Sequence, residues 1–110
     1  MSSHCENLVR SVHVISRKAL KEFAAKHADA EGPLDTWYRI AKAATWDSID
    51  DVRKTYPHAD FVSPYTVFNI KGNSYRLIVT IRYAYKRLYI KNVLTHAEYD
   101  KDKWKNDPYF

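Results

Sequence analysis

Hydrophobic and polar positions alternate with a period of two through the second half of the chain, from Tyr65 to Leu94. This period is typical of β-strands that have one covered and one open face. The alternation predicts three strands, over 65–71, 75–83 and 86–94. Gly72 and Asn73 separate the first two strands, and we expect both residues to adopt the positive φ angles that a tight hairpin needs.

The same alternation assigns the side chains to two faces of the predicted sheet. The face expected to be covered carries Phe68, Ile70, Tyr75, Leu77, Val79, Ile81, Tyr83, Leu88, Ile90 and Leu94. The other face carries Tyr65, Val67, Asn69, Lys71, Arg76, Ile78, Thr80, Arg82, Arg87, Tyr89, Lys91 and Val93. Helices packed on the first face would leave the second face half open and basic.

The first half of the chain has the three- and four-residue spacing of amphipathic helices. The pattern predicts one helix over 17–28, a second from Pro33 to about Ala44, and a short third helix that Pro57 ends. The buried stripe of the second helix is predicted to be Leu34, Trp37, Ile40, Ala41 and Ala44. The β-branched run at 12–15 predicts a first strand.

Polar residues precede two of these helices, and tryptophans lie within or beside them. Ser16 is placed to cap the first helix, and Asp47 is placed to cap the third. Trp37 and Trp46 are at helical positions, so we interpret them as core residues in preference to base-stacking ones.

The order strand, helices and then three antiparallel strands predicts an α+β domain. We expect an antiparallel sheet of about four strands with two to three helices packed on one face. The 110 residues form one domain, 1–110, of a size that can fold on a single core. Residues 1–11 are expected to be a loose leader, and 102–110 a tail that packs back loosely or contacts a partner.

The chain has no apolar run near the roughly 20 residues that span a bilayer, and its beginning has no apolar signal segment. We therefore expect a cytoplasmic protein without a membrane partner. Cys5 is the only cysteine, which excludes an intrachain disulfide.

Positive charge is concentrated in the predicted sheet. Between Phe61 and Ala97 there is no Asp or Glu. The basic residues of this segment are Lys71, Arg76, Arg82, Lys86, Arg87 and Lys91. Residues 1–60 hold nine Lys and Arg against nine Asp and Glu, and 98–110 hold three against four, so the net charge of +5 resides in the sheet. A sheet of this kind is a candidate surface for binding a polyanion.

The segment after the last predicted strand has the pattern of a capping box. Thr95 is placed as the N-cap and Glu98 follows three residues later. This makes His96 the first residue of a one-turn helix, with Tyr99 one turn further on.

Three of these residues have side chains suited to chemistry at the phosphate of a bound polyanion. Arg76 presents a planar set of donors that can stabilise the extra charge of a pentacoordinate phosphate; the alternative is a surface arginine paired with a carboxylate. His96 can transfer a proton near neutral pH, or it can be a structural donor. Tyr99 can stack on a base, donate to phosphate or assist proton transfer, or it can be a half-buried core residue.

Other basic and amide side chains are candidates for binding RNA. Lys71 and Asn73 flank the turn, where they can contact phosphate and ribose or base, although Asn73 can equally serve only the turn. Arg82, Arg87 and Lys91 can guide RNA electrostatically, or they can be solvated charges on the sheet. The chain has no phosphate-binding glycine loop or zinc pattern, and a sheet without carboxylates disfavours a Mg²⁺-dependent nuclease, so we predict neither metal nor cofactor.

Several of these motifs resemble a known family. The run FNIKGNSYRLIVTIRY, followed by a strand ending in THAEYD, resembles the HigB toxins of bacterial toxin–antitoxin modules, which belong to the wider RelE-like group of ribosome-dependent mRNA endonucleases. The opening VHVISRKALKEFAAKH is similar to the same family's first strand and helix. The likeness covers roughly residues 12–101, and its most specific positions are Asn69, Lys71, Gly72, Asn73, Tyr75, Arg76, Thr95, His96, Tyr99 and Asp100.

The resemblance implies a small RelE-like fold, cleavage of mRNA in the ribosomal A site, and neutralisation by a HigA-type antitoxin with a helix-turn-helix domain. It implies catalytic roles for Arg76, His96 and Tyr99, and we expect a metal-free reaction by 2′-hydroxyl attack. Some relatives carry two lysines on the strand before the hairpin, where this chain has Val67 and Asn69, so Asn69 is a candidate for RNA binding and the general base is unassigned. The alternatives are a non-catalytic RNA- or ribosome-binding module that uses the same sheet, and a toxin that has lost its activity.

Overall fold

A five-stranded sheet runs through the centre of the molecule in the computed structural model, which describes residues 13–15 and 17–101. The strands are β1 (His13–Ile15), β2 (Asp60–Val62), β3 (Tyr65–Ile70), β4 (Tyr75–Arg82) and β5 (Arg87–Thr95). Their order across the sheet is β1-β5-β4-β3-β2, with β1 parallel to β5 and the other pairs antiparallel. The predicted leader, tail and Ser16 cap lie outside the described residues.

The rest of the regular structure of the described residues is helical, with two short 3₁₀ helices (Ala28–Ala30 and Tyr83–Tyr85) besides the α-helices. The α-helices are α1 (Lys18–Lys26), α2 (Glu31–Ala43), α3 (Ile49–Thr55) and α4 (His96–Asp100). Buried residues of α1, α2 and α3 belong to one hydrophobic core with the covered face of the sheet, which confirms the predicted α+β class. Within the described residues, no helix has the length and apolar character that crossing a bilayer requires.

Phe68 lies at the centre of the aromatic part of this core. Its ring packs edge-on against Trp37 at 5.4 Å and against Tyr56 at 5.2 Å, and it stacks on Trp46 at 6.0 Å between ring centroids. Trp37 and Trp46 are 1% and 4% exposed, so their interpretation as core residues is confirmed. Aromatic packing thus joins α2 and α3 to the middle of the sheet.

A β-bulge changes the end of β5. Ile78 pairs with Asn92 and Val79 pairs with Ile90, which leaves Lys91 as an extra residue on β5. Because side chains alternate with a period of two, one extra residue exchanges the faces of everything beyond it. Val93 therefore lies in the helix-covered core and Leu94 on the other face, and the predicted assignment of these two residues was wrong.

Three smaller sequence predictions were also wrong. Ile40 is 37% exposed, because it lies at the edge of the α2 stripe. Ser48, and not Asp47, caps α3, since its hydroxyl accepts from the Asp51 amide, while Asp47 forms an ion pair with Lys86. In the hairpin turn the positive φ angles are those of Lys71 and Gly72, so Asn73 does not adopt the positive φ that was predicted for it.

The hairpin turn is fastened to the helical side of the molecule through Asp29. Lys71 Nζ and Tyr75 Oη donate to the two carboxylate oxygens of Asp29, each at 2.6 Å. The hydrogen bond from Lys71, followed by that from Tyr75, lowers the pKa of Asp29 below its ordinary value of 3.8. The same contact with Asp29 raises the pKa of Tyr75.

Replacing Asp29 by asparagine is expected to lower the melting temperature at pH 7 and to have less effect in acid. A carboxyl group whose pKa is lowered by folding contributes stability above its unfolded pKa, and this contribution is lost as the pH falls through the folded pKa. The difference in melting temperature between wild type and Asp29→Asn should therefore narrow below about pH 4. Circular dichroism melts from pH 7 to 2.5 measure it.

A double-mutant cycle that combines Asp29→Asn with Lys71→Gln tests whether Lys71 is the main partner of Asp29. If Lys71 is the main partner, Asp29→Asn lowers the melting temperature less in the Lys71→Gln background than in wild type. A difference between wild type and Asp29→Asn that stays constant across the pH range would contradict the assignment.

Candidate active site

Arg76 lies on the open face of the sheet, in the central strand β4. It pairs with Asn69 on β3 and with Leu94 on β5, on the side away from α1, α2 and α3. The residue is nevertheless only 9% exposed. Neighbouring side chains therefore shield this guanidinium from solvent while leaving it on the face that a ligand can reach.

The guanidinium of Arg76 is held by neutral acceptors. Nη1 donates to the carbonyl oxygens of Asn73 at 3.1 Å and Tyr75 at 3.2 Å. Nη2 lies 3.0 Å from His96 Nδ1 and 3.5 Å from Asn73 Oδ1. Among residues 17–101 no carboxylate forms an ion pair with it. The positive charge is thus oriented but not neutralised by these residues, which suits a phosphate ligand.

The predicted capping box forms and places His96 beside Arg76. Thr95 Oγ1 accepts from the Glu98 amide at 3.2 Å, and Glu98 Oε1 accepts from the Thr95 amide at 2.9 Å. The His96 amide donates to the Ser74 carbonyl at 3.1 Å. These bonds fix the beginning of α4 against the hairpin turn.

Both ring nitrogens of His96 are engaged. Nδ1 faces a guanidinium, which can only donate, so Nδ1 is the acceptor of this bond. The ring proton is then on Nε2, which lies 3.0 Å from Asp100 Oδ2. His96 thus links the Asp100 carboxylate to the Arg76 guanidinium.

Tyr99 completes the cluster from one turn further along α4. The Arg76 guanidinium carbon lies 5.5 Å from the centroid of its ring, within the range of a cation–π contact. Tyr99 also packs on the small hydrophobic cluster of Val67 and Ile78. The structure therefore brings together Arg76, His96 and Tyr99, the three residues assigned to catalysis by the resemblance.

A groove of about 550 Å³ lies next to this cluster. Its walls are formed by Arg53, Pro57, His58, Ala59, Asp60, Val67, Asn69, Arg76 and Tyr99. Three of its polar residues, Arg53, His58 and Asp60, were not among the predicted site residues. They come from the end of α3, the following loop and the first residue of β2. Arg53 Nε donates to the Ala59 carbonyl at 3.1 Å, which holds this loop in place.

A second groove of about 390 Å³ continues the first towards the hairpin turn. The two grooves share Pro57, His58, Ala59 and Asn69, and the second adds Tyr56, Gly72 and Asn73. Burial raises the pKa of the Tyr56 phenol, so this hydroxyl stays neutral at physiological pH.

The predicted RNA-binding residues lie at different distances from the groove. Asn69 lines both grooves and Asn73 lines the second. Lys71, in contrast, is bonded to Asp29 and is not brought to either groove.

The remaining three basic candidates lie along the strands. Arg82 and Arg87 form a cross-strand pair at the far end of the open face. Six residues of strand separate Arg82 from Arg76, or about 20 Å. Lys91 is the extra residue of the β5 bulge and is exposed. None of the three lines the groove.

The sheet was predicted to hold no carboxylate, but Asp60 is the first residue of β2 and lines the groove. Within the described part of the chain, no three His, Cys, Asp or Glu side chains are grouped as a metal site would require. The groove therefore presents two guanidiniums, an imidazole, a phenol and a single carboxylate to a ligand.

Comparison with known proteins agrees with the family resemblance of the sequence motifs. Residues 30–102 match the model of the HigB toxin family, described as the RelE-like toxic component of a toxin–antitoxin system. The chain is 30% identical over 93 residues to the mRNA interferase HigB of Escherichia coli O6:H1, covering 82% of this chain and 90% of that protein. It is 27% identical over 92 residues to the mRNA interferase toxin HigB of Escherichia coli K12, with 81% and 88% coverage, and equally similar to the mRNA interferase HigB of Shigella flexneri.

Proposed function

The chain belongs to the HigB family of RelE-like toxins, and on this premise we propose that it is an endoribonuclease that cleaves messenger RNA and thereby inhibits translation. The relatives named above carry the name mRNA interferase, which supports this activity. The observation that carries the proposal is the Arg76 guanidinium, which lies in a groove beside His96 and Tyr99 and has no ion pair with a described carboxylate.

In the proposed reaction the 2′-hydroxyl oxygen attacks the adjacent phosphorus. The O2′–P bond forms and the P–O5′ bond breaks, which leaves a 2′,3′-cyclic phosphate and a 5′-hydroxyl. Arg76 donates to the non-bridging oxygens as negative charge develops on them, and this stabilises the transition state more than the ground state. Four acceptors orient the guanidinium and engage its terminal N–H groups, so donation to the phosphate uses Nε–H or replaces one of these bonds.

His96 and Tyr99 complete the proposed catalytic cluster. His96 holds Arg76 through Nδ1, and a proton transfer to Nδ1 would require this hydrogen bond to open. Its role in proton transfer therefore stays a prediction. Tyr99 lies over the guanidinium and can stack on a base or donate to the phosphate.

The RNA is proposed to follow the two connected grooves and then the open face. Asn69 and Asn73 offer amide groups to ribose or base within the grooves. Arg82, Arg87 and Lys91 attract the backbone further along the sheet, and Lys71 contributes through its charge at the turn.

The substrate we propose is mRNA in the ribosomal A site, which places the protein in the cytoplasm. At rest it would be held by a HigA-type antitoxin with a helix-turn-helix domain. A gene for such a protein directly beside this one, and co-purification of the two products, would support the partner.

Expression in a bacterium is expected to arrest growth and to create new 5′ ends inside translated codons. Mapping of mRNA 5′ ends after induction measures this, and purified protein with mRNA, with and without ribosomes, tests the dependence on the ribosome. Growth arrest without new RNA ends would contradict the nuclease and favour the alternative, a module that only binds RNA or the ribosome through the same basic sheet.

A further inference from the structure

The attacking 2′-hydroxyl needs a proton acceptor that reaches into the groove. His96 is poorly placed for this, because Nδ1 accepts from Arg76 and Nε2, which carries the ring proton, lies 3.0 Å from Asp100 Oδ2. Its side chain also does not line the groove. The function of His96 supported by these contacts is to position Arg76.

His58 has the properties that His96 lacks. It is exposed, and it lines both grooves at the point where they join. Within the described part of the chain, its ring has no hydrogen bond or ion pair with another side chain. The Arg53 bond to Ala59 and the pairing of Asp60 with Val67 fix the backbone on either side of it. An imidazole with unengaged nitrogens on a backbone held in this way can accept a proton from a bound ligand.

We propose that His58 is the general base of the cleavage reaction and that His96 is a positioning residue for Arg76. This assignment rests on the proposed nuclease function. The neutral imidazole of His58 takes the 2′-hydroxyl proton as O2′ attacks phosphorus, and Arg76 holds the phosphorane. When the P–O5′ bond breaks, solvent water supplies the proton of the 5′-hydroxyl. The protonated imidazole then releases its proton to solvent.

The groove explains why a base on this side would be productive. Arg76 and Tyr99 come to the groove from β4 and α4, while Arg53, His58 and Asp60 come from the end of α3, the loop that follows it and the start of β2. A nucleotide whose phosphate contacts Arg76 therefore has its ribose within the same channel as His58. A base and a phosphate-binding group that line one groove from different elements can act on one nucleotide without competing for the same atom.

The test is the rate of RNA cleavage as a function of pH in three histidine variants of the full chain. In His58→Gln we expect the maximal rate to fall by about 100-fold or more, with RNA affinity little changed, and the acid-side fall of the rate to disappear. In His96→Gln we expect a lower rate that still falls in acid. His27→Gln is the matched control, since this ring stacks on Phe23 at the helical side of the molecule.

His58 shares the groove with other charged and titratable groups, namely Arg53, Asp60, Arg76 and Tyr99, and Tyr56 lines the adjoining groove. The readout is therefore the difference between the pH profiles of the variants, and not the pH at which any one profile has its midpoint. His58→Gly adds a second readout, because added imidazole should restore part of its activity if the missing group is a base. Melting temperatures of all variants show whether folding is retained.

Two results would overturn the assignment alone: a His58→Gln protein that cleaves within about threefold of wild type, or an acid-side fall that is lost in His96→Gln and kept in His58→Gln. Imidazole that fails to restore a folded His58→Gly protein also counts against it. A wild-type protein that binds ribosomes and cuts no RNA overturns the proposed function itself, and the assignment with it.

Discussion

Arg76→Ala is expected to lower the rate of RNA cleavage by at least about 100-fold and to abolish growth arrest. The reason is electrostatic, because removal of a single preorganised donor at a developing oxyanion typically costs about 100- to 1,000-fold. Arg76 provides several donors and a full charge in a site where it is only 9% exposed. End-labelled RNA and single-turnover conditions measure the chemical step directly.

Loss of folding must be distinguished from loss of chemistry in this variant. Arg76 also joins Asn73, Tyr75 and His96, so its removal is expected to cost about 1–3 kcal/mol of stability. Arg76→Lys keeps the charge without the planar arrangement of donors, and it should retain folding with an intermediate rate. Arg39→Ala is the control, since Arg39 is exposed on α2 and pairs with Asp35. An Arg76→Ala protein that is folded and fully active would refute the mechanism.

Phe68→Ala is expected to have the largest effect on stability, a loss of about 3–5 kcal/mol in the free energy of unfolding. Phe68 is fully buried and contacts two tryptophans and Tyr56, so its removal leaves a cavity that rigid aromatic neighbours cannot fill. A loss of this size is a large part of the 5–15 kcal/mol typical of a whole domain. Urea unfolding followed by tryptophan fluorescence measures it.

The same substitution at Phe61 provides the matched control. Phe61 lies on the edge strand β2 and is 50% exposed, so Phe61→Ala should cost less than about 1 kcal/mol. Equal losses at the two positions would contradict the description of the core. The two variants also serve as references in the activity assays, because Phe68→Ala shows how much activity is lost through unfolding alone.

Local sequence signals predicted the elements that depend on local interactions. The capping box of α4 forms between Thr95 and Glu98, three residues apart, and it was predicted because no distant contact is needed. Strand alternation likewise placed Phe68 in the core and Arg76 on the open face. The proximity of Arg76, His96 and Tyr99 followed from these two predictions together with the family resemblance.

The parts that were missed depend on contacts between distant segments. The bulge at Lys91 depends on how β5 pairs with β4. The spacing of hydrophobic residues within β5 alone does not reveal this pairing. The contribution of Arg53 and His58 to the groove was missed because they belong to a helix end and a loop without periodicity. A signal was present at Asp60–Val62, since recognising this run as a strand beside β3 would have brought the preceding loop next to Asn69.

The bulge at Lys91 determines on which side of the sheet the last segment of the site emerges. Counting from the hairpin, a regular β5 would direct Leu94 into the core and turn α4 towards the helical layer, away from Arg76. A single additional residue reverses this parity and delivers His96 and Tyr99 to the opposite surface. The same residues paired with β4 without the bulge would therefore place α4 on the wrong surface, although every proposed catalytic side chain would still be present in the sequence.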